Sequence, residues 1–203
     1  MRRKVSLFIN IFIFSAVPVS WYYMFLHHGG LLGALGFGSL RYFTVLSNIL
    51  MGAASLIWVL AALFADSVPR WASRLKLVAT ASVALTFLTV MGFLGPIFGF
   101  PGMFRGANLF FHLIVPVLAL VDFALFGDFV PTLGETALCV IPMLLYGTVY
   151  TVNILLNGIE GNDLYGFLNW GWAVGAAIFA VLTLVTWLSG MVLRLCARGM
   201  NRG

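Results

Sequence analysis

The chain has 203 residues, of which 62% are hydrophobic and 8% are charged, with a formal net charge of +5. A soluble domain carries about a quarter charged residues, so this composition excludes a water-soluble globular fold. The apolar residues fall into blocks of about 20, each long enough to cross a hydrocarbon layer of roughly 30 Å as a helix. We therefore predict an all-α polytopic membrane protein, a bundle of six transmembrane helices forming one domain over residues 1–203.

The predicted spans carry an error of a few residues at each end. The first follows a basic start and ends in aromatic residues instead of a small-residue cleavage site, which favours a permanent helix over a signal peptide. In chain order the spans are Val5–Leu26, Tyr42–Phe64, Leu77–Phe98, Leu109–Phe126, Glu135–Leu156 and Gly171–Leu195.

The basic residues predict the orientation, because Lys and Arg accumulate in cytoplasmic loops. If both termini are cytoplasmic, only Arg41 and Arg105 of the 11 basic residues lie outside. The high pI is then a topology signal, and it does not indicate a nucleic-acid partner. The inner set is Arg2, Arg3, Lys4, Arg70, Arg74, Lys76, Arg194, Arg198 and Arg202.

Polar residues in membrane helices are costly, so their placement points to candidate sites. Three stripes of polar residues occur at helical spacing, and under this orientation all three lie in the outer half of the membrane. The loop 158–170 adds two acids and several amides on the same side. We expect the stripes to meet in one polar pocket. They are Arg41, Thr44 and Asn48 in the second span, Arg105, Asn108 and His112 in the fourth, and Tyr146, Tyr150, Asn153 and Asn157 in the fifth.

Pro116 is expected to bend the fourth span and to leave free the carbonyl of His112, since proline cannot donate to the carbonyl four residues earlier. Pro96 and Pro142 should act similarly in the third and fifth spans. Asp122 faces the inner half, where Arg74 and Lys76 offer partners.

Each polar residue also has a structural interpretation. Thr44 can bond the carbonyl four residues earlier, the asparagines can join neighbouring helices, and the two outer arginines can anchor the interface. Cys139 and Cys196 sit at different depths and predict no disulfide. His27 and His28 indicate an interfacial loop pair. A zinc site using them with His112 is a weaker alternative, so no metal or other cofactor is predicted.

Short motifs carry a family resemblance over most of the chain after the first span. The segments Arg41-Tyr-Phe-Thr44-Val-Leu-Ser47-Asn48, Asn108-Leu-Phe-Phe-His112-Leu-Ile-Val-Pro116 and Leu164-Tyr-Gly-Phe-Leu168 resemble the androgen-induced-gene family of multi-pass membrane proteins and its bacterial six-pass relatives. Eukaryotic members hydrolyse fatty acid esters of hydroxy fatty acids with a catalytic Thr and His, which match Thr44 and His112. The resemblance implies a lipid-like ester substrate among membrane lipids, and a bacterial inner membrane location.

The implied chemistry is coherent, because a hydroxyl needs an adjacent base to become a nucleophile. His112 would be that base. Asn48 or Asn108 would donate to the oxyanion, and Tyr150 and Asn153 would orient the ester or the imidazole. Arg41, Ser47, Arg105, Tyr146 and Asn157 are expected to bind or support the substrate. A transporter, sensor or lipid-binding protein without chemistry is the main alternative, and a structural or partner-binding role is the third.

Overall fold

The computed structural model describes residues 2–26, 36–127 and 129–200, and within them it contains helices and no strand. Six helices are long and apolar enough to cross a membrane, which confirms an integral membrane protein. They are α1 (Arg2–Leu26), α2 (Phe43–Phe64), α3 (Arg70–Phe98), α4 (Ala107–Phe126), α5 (Leu133–Asn157) and α6 (Trp172–Met200). Short helical turns at Gly36–Arg41 and Phe100–Met103 precede α2 and α4.

The observed helices extend beyond the predicted spans at their basic ends. Helix α3 begins at Arg70 and not at Leu77, and α6 continues to Met200, so both contain charges that the sequence placed in loops. Long Lys and Arg side chains cover apolar surface with their stems while the charged group reaches the interface, so they do not end a membrane helix. Arg202 lies outside the described residues.

Two sets of connections mark the two ends of the bundle. Arg3 on α1 donates to the carbonyl of Ala62 at the end of α2 at 2.6 Å, and Arg194 on α6 donates to that of Pro131 before α5 at 3.1 Å. We call this the terminal end. The opposite end, with the connections 36–42, 99–106 and 158–171, is the loop end.

The helical winding changes before Pro96, Pro116 and Pro142, whereas the bends expected there stay predictions. Wider π-helical turns at Val90–Leu94 and Phe110–Ile114 lie before Pro96 and Pro116, and a tighter 3₁₀ turn at Leu138–Val140 lies before Pro142. Each change in winding accommodates a proline that cannot continue the regular hydrogen-bond ladder.

The core lies where α1, α2, α3 and α4 meet, and its fully buried side chains include Ile13, Val45, Met51, Val83 and Phe111. Helix α3 is the most buried of the six, whereas α5 and α6 are among the least buried. Helices α5 and α6 therefore flank the four-helix core and leave much of their surface for lipid.

A buried ion pair joins the core helices near the terminal end. Lys76 on α3 pairs with Asp122 on α4, and its ammonium lies 4.1 Å from the ring centre of Trp58 on α2. Asn10 on α1 donates to the same carboxylate at 2.7 Å. Of the two partners expected for Asp122, Lys76 is correct. Arg74 is wrong, because together with Arg70 it pairs with Glu135.

Candidate functional site

A groove lies between α2 and α5 on the flank of the bundle, and we call it the α2–α5 groove. Its volume is about 480 Å³, within the range of roughly 300–1,000 Å³ typical of small-molecule sites. Apolar side chains form most of its wall, and charged and amide groups gather at the loop end. The lining residues are Leu40, Arg41, Phe43, Leu46, Ser47, Leu50, Pro142, Leu145, Tyr146, Val149, Tyr150, Asn153, Asn162 and Leu164.

Arg41 supplies the positive charge of this groove. Its Nη2 donates to the carbonyl of Gly161 at 3.1 Å and to Oδ1 of Asn162 at 2.9 Å, and both acceptors are neutral. Among residues 2–26, 36–127 and 129–200, no carboxylate lies within ion-pair distance of this guanidinium. The cation is therefore held at the rim of the groove without a counter-ion.

The polar stripe of α5 fastens the loop 158–171 over the end of the groove. Asn153 donates to Oδ1 of Asn162 at 3.0 Å, and Asn157 donates to Asn153 at 2.9 Å. The Tyr146 hydroxyl donates to the carbonyl of Arg41 at 2.9 Å, which ties α5 to the start of α2. These side chains hold the loop and the start of α2 at the rim of the groove, and their roles toward a substrate stay predictions.

Asp163 organises the loop itself. Its carboxylate accepts the Tyr150 hydroxyl and the backbone N–H groups of Phe167 and Leu168, at 2.9 and 2.8 Å. Since a carboxylate accepts charge-assisted bonds, these contacts are stronger than neutral ones. The sequence predicts polar groups in this loop but assigns no role to Asn162 or Asp163, because the pattern does not reveal which helix side chains reach a loop.

Thr44 faces a second, much smaller cavity. This Thr44 cavity has a volume of about 30 Å³, which is room for about one or two water molecules and not for an acyl ester. Phe43 and Tyr146 line both the cavity and the α2–α5 groove, so they form the wall between them. Thr44 and Tyr165 both line this cavity, and a side-chain hydrogen bond between them lowers the pKa of Tyr165.

Tyr165 cannot act as a base for Thr44. Removal from water raises the pKa of Tyr165 to about 12, although hydrogen bonds with Tyr146, Phe43 and Thr44 oppose the shift. The phenol therefore stays protonated at neutral pH. Its oxygen accepts the backbone N–H of Phe43 at 3.0 Å, which locks the loop onto the first turn of α2.

His112 is buried in the π-helical turn of α4, away from both cavities. Its Nδ1 lies 2.7 Å from the carbonyl of Met103, and because a carbonyl only accepts, Nδ1 carries the proton. In the neutral ring Nε2 then holds the lone pair. This nitrogen is buried and has no hydrogen-bond partner among the described residues, so it does not bond Thr44.

Asn48 joins α2 to α4 through the backbone. Its Nδ2 donates to the carbonyls of Thr44, at 2.8 Å, and Phe111, at 3.0 Å. A π-helical turn bonds residues five apart, so Pro116 leaves free the carbonyl of Phe111. The prediction that the His112 carbonyl also lacks its backbone donor stays a prediction.

The three predicted stripes do not meet in one cavity. Arg41, Ser47, Tyr146, Tyr150 and Asn153 line the α2–α5 groove, whereas Thr44 lines its own cavity and His112 lines neither. The Ser47 hydroxyl also bonds the carbonyl of Thr44 and the hydroxyl of Thr86, at 3.1 and 3.0 Å.

The rest of the α4 stripe is equally separate from the groove. Arg105 is exposed in the turn before α4. Asn108 is buried, and its Nδ2 has no partner among the described residues. The catalytic roles of Thr44 and His112 stay predictions.

His27 and His28, which the zinc alternative requires, lie outside the described residues. Over residues 2–26, 36–127 and 129–200, no group of three His, Cys, Asp or Glu side chains is placed to hold a metal ion.

No family model matches the chain, and no curated protein or solved structure matches it. The similarity to the androgen-induced-gene family therefore rests on the short motifs alone.

Proposed function

We propose that this protein binds an acyl-chain lipid in the α2–α5 groove, with the polar head of the lipid at Arg41 and its chain along the apolar wall. The observation that carries this proposal is the Arg41 guanidinium, which has no ion-pair partner among the described residues, at the end of an otherwise mainly apolar groove. A lipid head with a carbonyl or an anionic group would accept hydrogen bonds from the Arg41 guanidinium, which donates only to neutral oxygens in this structure. Asn153 and Asn162 supply amide groups beside it.

The shape of the groove fits an extended chain. From Phe43 to Leu50 its α2 wall rises roughly 10 Å at the helical rise per residue. Leu46, Leu145 and Val149 on its walls are exposed at the flank of the bundle, where lipid would surround them. A lipid could therefore enter sideways without crossing an aqueous phase.

The proposed orientation follows the basic residues. With cytoplasmic termini in a bacterial inner membrane, the groove would lie in the outer leaflet. Its ligand would then come from that leaflet.

A photoreactive fatty acid bearing a diazirine tests the lipid proposal on the full chain in nanodiscs. Labelling should map to the groove and should be displaced by unlabelled fatty acid. Arg41→Gln should weaken binding by about tenfold or more, because a hydrogen bond to a charged group contributes about 1.5–3 kcal/mol.

A pair of α5 variants provides the control. Val149→Trp fills the groove and should abolish specific labelling, whereas Leu155→Trp adds the same bulk at an exposed α5 position that does not line it. Equal labelling of the two variants, or labelling that excess fatty acid does not displace, would refute the groove as the binding site.

Hydrolysis of a fatty acyl ester by Thr44 and His112 is the second candidate, and the protonation pattern of His112 favours it. Nδ1 is held by Met103, so Nε2 is the nitrogen free to accept a proton. In such a reaction Nε2 would take the Thr44 proton as Oγ1 attacks the ester carbonyl, and would return it to the departing alcohol as the ester C–O bond breaks. Nε2 would then take a proton from a water molecule that attacks the acyl-threonine, which releases the fatty acid and returns the proton to Thr44. The mechanism requires Tyr146 to move, because it separates Thr44 from the groove.

A fluorophosphonate probe and ester turnover test this second candidate. Thr44→Ala and His112→Ala should each abolish both signals, and the double variant should lose little more, since the two residues act as one unit. Thr44→Ser should retain partial activity. Thr89→Ala alters another hydroxyl beside the Thr44 cavity and serves as the control. Ester turnover that survives Thr44→Ala would exclude the threonine mechanism.

A further inference from the structure

A second cavity lies at the terminal end, remote from the α2–α5 groove. Its volume is about 360 Å³, and three cationic side chains line it: Arg3 of α1, and Arg70 and Lys76 of α3. Asp66 is its only acidic lining residue in the described part of the chain. The cavity therefore gathers cations from two helices at the terminal end of the bundle.

The ion pairs around this cavity leave positive charge in excess. Arg70 and Arg74 share a single carboxylate, Glu135, and Lys76 is balanced by Asp122. Arg3 donates to the neutral carbonyl of Ala62 and has no carboxylate within ion-pair distance among the described residues. Within residues 2–26, 36–127 and 129–200, two positive charges thus remain against the one negative charge of Asp66.

The remaining lining favours a phosphate group over a carboxylate-bearing protein segment. Ser67 and Ser73 add hydroxyl donors, so most polar groups of the cavity are donors. Trp58 and Phe129 provide an apolar side, and the Phe129 ring lies 5.2 Å from the Arg70 guanidinium. A small anion with several acceptor oxygens would bind the donors of the cavity, and an apolar chain attached to it would pack against the apolar side.

We propose that this terminal-end cavity binds a phosphate group, supplied by the headgroup of an anionic phospholipid. Arg3 and Arg70 hold the phosphate oxygens from the two sides, and the acyl chains lie along the flank of the bundle. Basic cavities between membrane helices bind anionic headgroups on this physical basis. The site is independent of the α2–α5 groove, because the two have no lining residue in common.

Native mass spectrometry of the full chain tests the proposal, with phosphatidylglycerol, phosphatidylcholine and inorganic phosphate as probes. Phosphatidylglycerol should be retained in preference to phosphatidylcholine. Arg3→Gln should weaken phosphatidylglycerol binding about fivefold, since a basic residue near the membrane surface contributes about 1 kcal/mol. Asp66→Asn removes the opposing charge and should strengthen it.

Lys4→Gln is the matched control, because it removes the same charge from the adjacent, exposed residue that does not line the cavity. Thermal unfolding of each variant separates lost binding from lost fold. Equal weakening by Arg3→Gln and Lys4→Gln would overturn the site in favour of diffuse surface charge. Equal retention of the two lipids would also overturn it.

Inorganic phosphate distinguishes the source of the ligand. If a lipid headgroup is the ligand, phosphatidylglycerol stays bound in excess phosphate. If phosphate alone binds, responds to Arg3→Gln and displaces the lipid, the phosphate site stands and the lipid source is wrong.

Discussion

Asn48 and Pro116 illustrate how one side chain on α2 and one missing N–H on α4 determine a helix contact. Pro116 leaves the Phe111 carbonyl without its backbone donor, and the Asn48 amide replaces that donor at 3.0 Å. In a bilayer no water would satisfy this carbonyl, so the amide has a structural role in addition to any role in a site.

This pairing predicts a coupling between two substitutions. Asn48→Leu should lower the free energy of unfolding by about 0.6–1.7 kcal/mol, the usual range for a polar contact between membrane helices. Pro116→Ala restores an N–H beside the Phe111 carbonyl. The loss of unfolding free energy in the double variant should therefore be smaller than the sum of the two single losses, by about 0.5 kcal/mol or more. Unfolding in detergent measures both.

The control combines Asn48→Leu with Pro96→Ala. Pro96 lies in the irregular part of α3, and the carbonyls that Asn48 contacts are those of Thr44 and Phe111, on α2 and α4. That pair should be additive. If the Pro116 pair is additive too, the Asn48 amide does not substitute for the missing donor.

The polar stripes were predictable from the sequence, but their partners were not. Spacing placed Thr44 and Asn48 on one face of a helix, yet residues four apart differ by about 40° in direction. In the bundle that difference separates two neighbours: Thr44 faces Tyr165 in the loop, and Asn48 faces Phe111 on α4. A single sequence contains no information on how each helix is rotated against the next.

The loop 158–171 is the element that completes the α2–α5 groove, and one carboxylate holds it. Asp163 accepts bonds from Tyr150 on α5 and from two loop amides, and Asn162 contacts Arg41. The length of the spans was readable from hydropathy, because burial in lipid requires it. The loop's conformation was not, because it depends on contacts distant in sequence.

Asp163→Asn should loosen this loop without unfolding the helices. The neutral amide has only one acceptor oxygen, so it cannot replace the carboxylate in all three hydrogen bonds. A hydrogen bond to a charged group contributes about 1.5–3 kcal/mol to stability. Hydrogen exchange of the Phe167 and Leu168 amides should accelerate by about tenfold or more, and binding at Arg41 should weaken with it. Glu160→Gln removes an exposed acid of the same loop and should change neither quantity. Unchanged exchange in Asp163→Asn would show that the aromatic packing alone holds the loop.

The molecule as a whole separates its charges between its two ends. Eight basic residues of the described part lie on helices at the terminal end, and two lie at the loop end. At the terminal end, basic residues connect neighbouring segments through the hydrogen bonds of Arg3 and Arg194 and the ion pairs with Glu135. At the loop end, Arg41 lies at the rim of the α2–α5 groove. Each end therefore combines a cavity with cations, but the terminal end has the larger positive charge.

This asymmetry predicts cytoplasmic termini, since basic residues near short loops are retained on the cytoplasmic side. In a background lacking Cys139 and Cys196, Glu160→Cys should react with a membrane-impermeant maleimide on intact cells. Ser67→Cys, in the exposed α2–α3 connection, should react only after permeabilisation. As a control, prior reaction of the cells with a membrane-permeant maleimide should prevent later labelling of either cysteine. This result would show that each thiol is accessible to reagent. The opposite pattern would reverse the bundle, placing the α2–α5 groove in the cytoplasmic leaflet and the terminal-end cavity in the outer one. The residues proposed to bind lipid would be the same in both sites, but each site would bind lipid from the opposite leaflet.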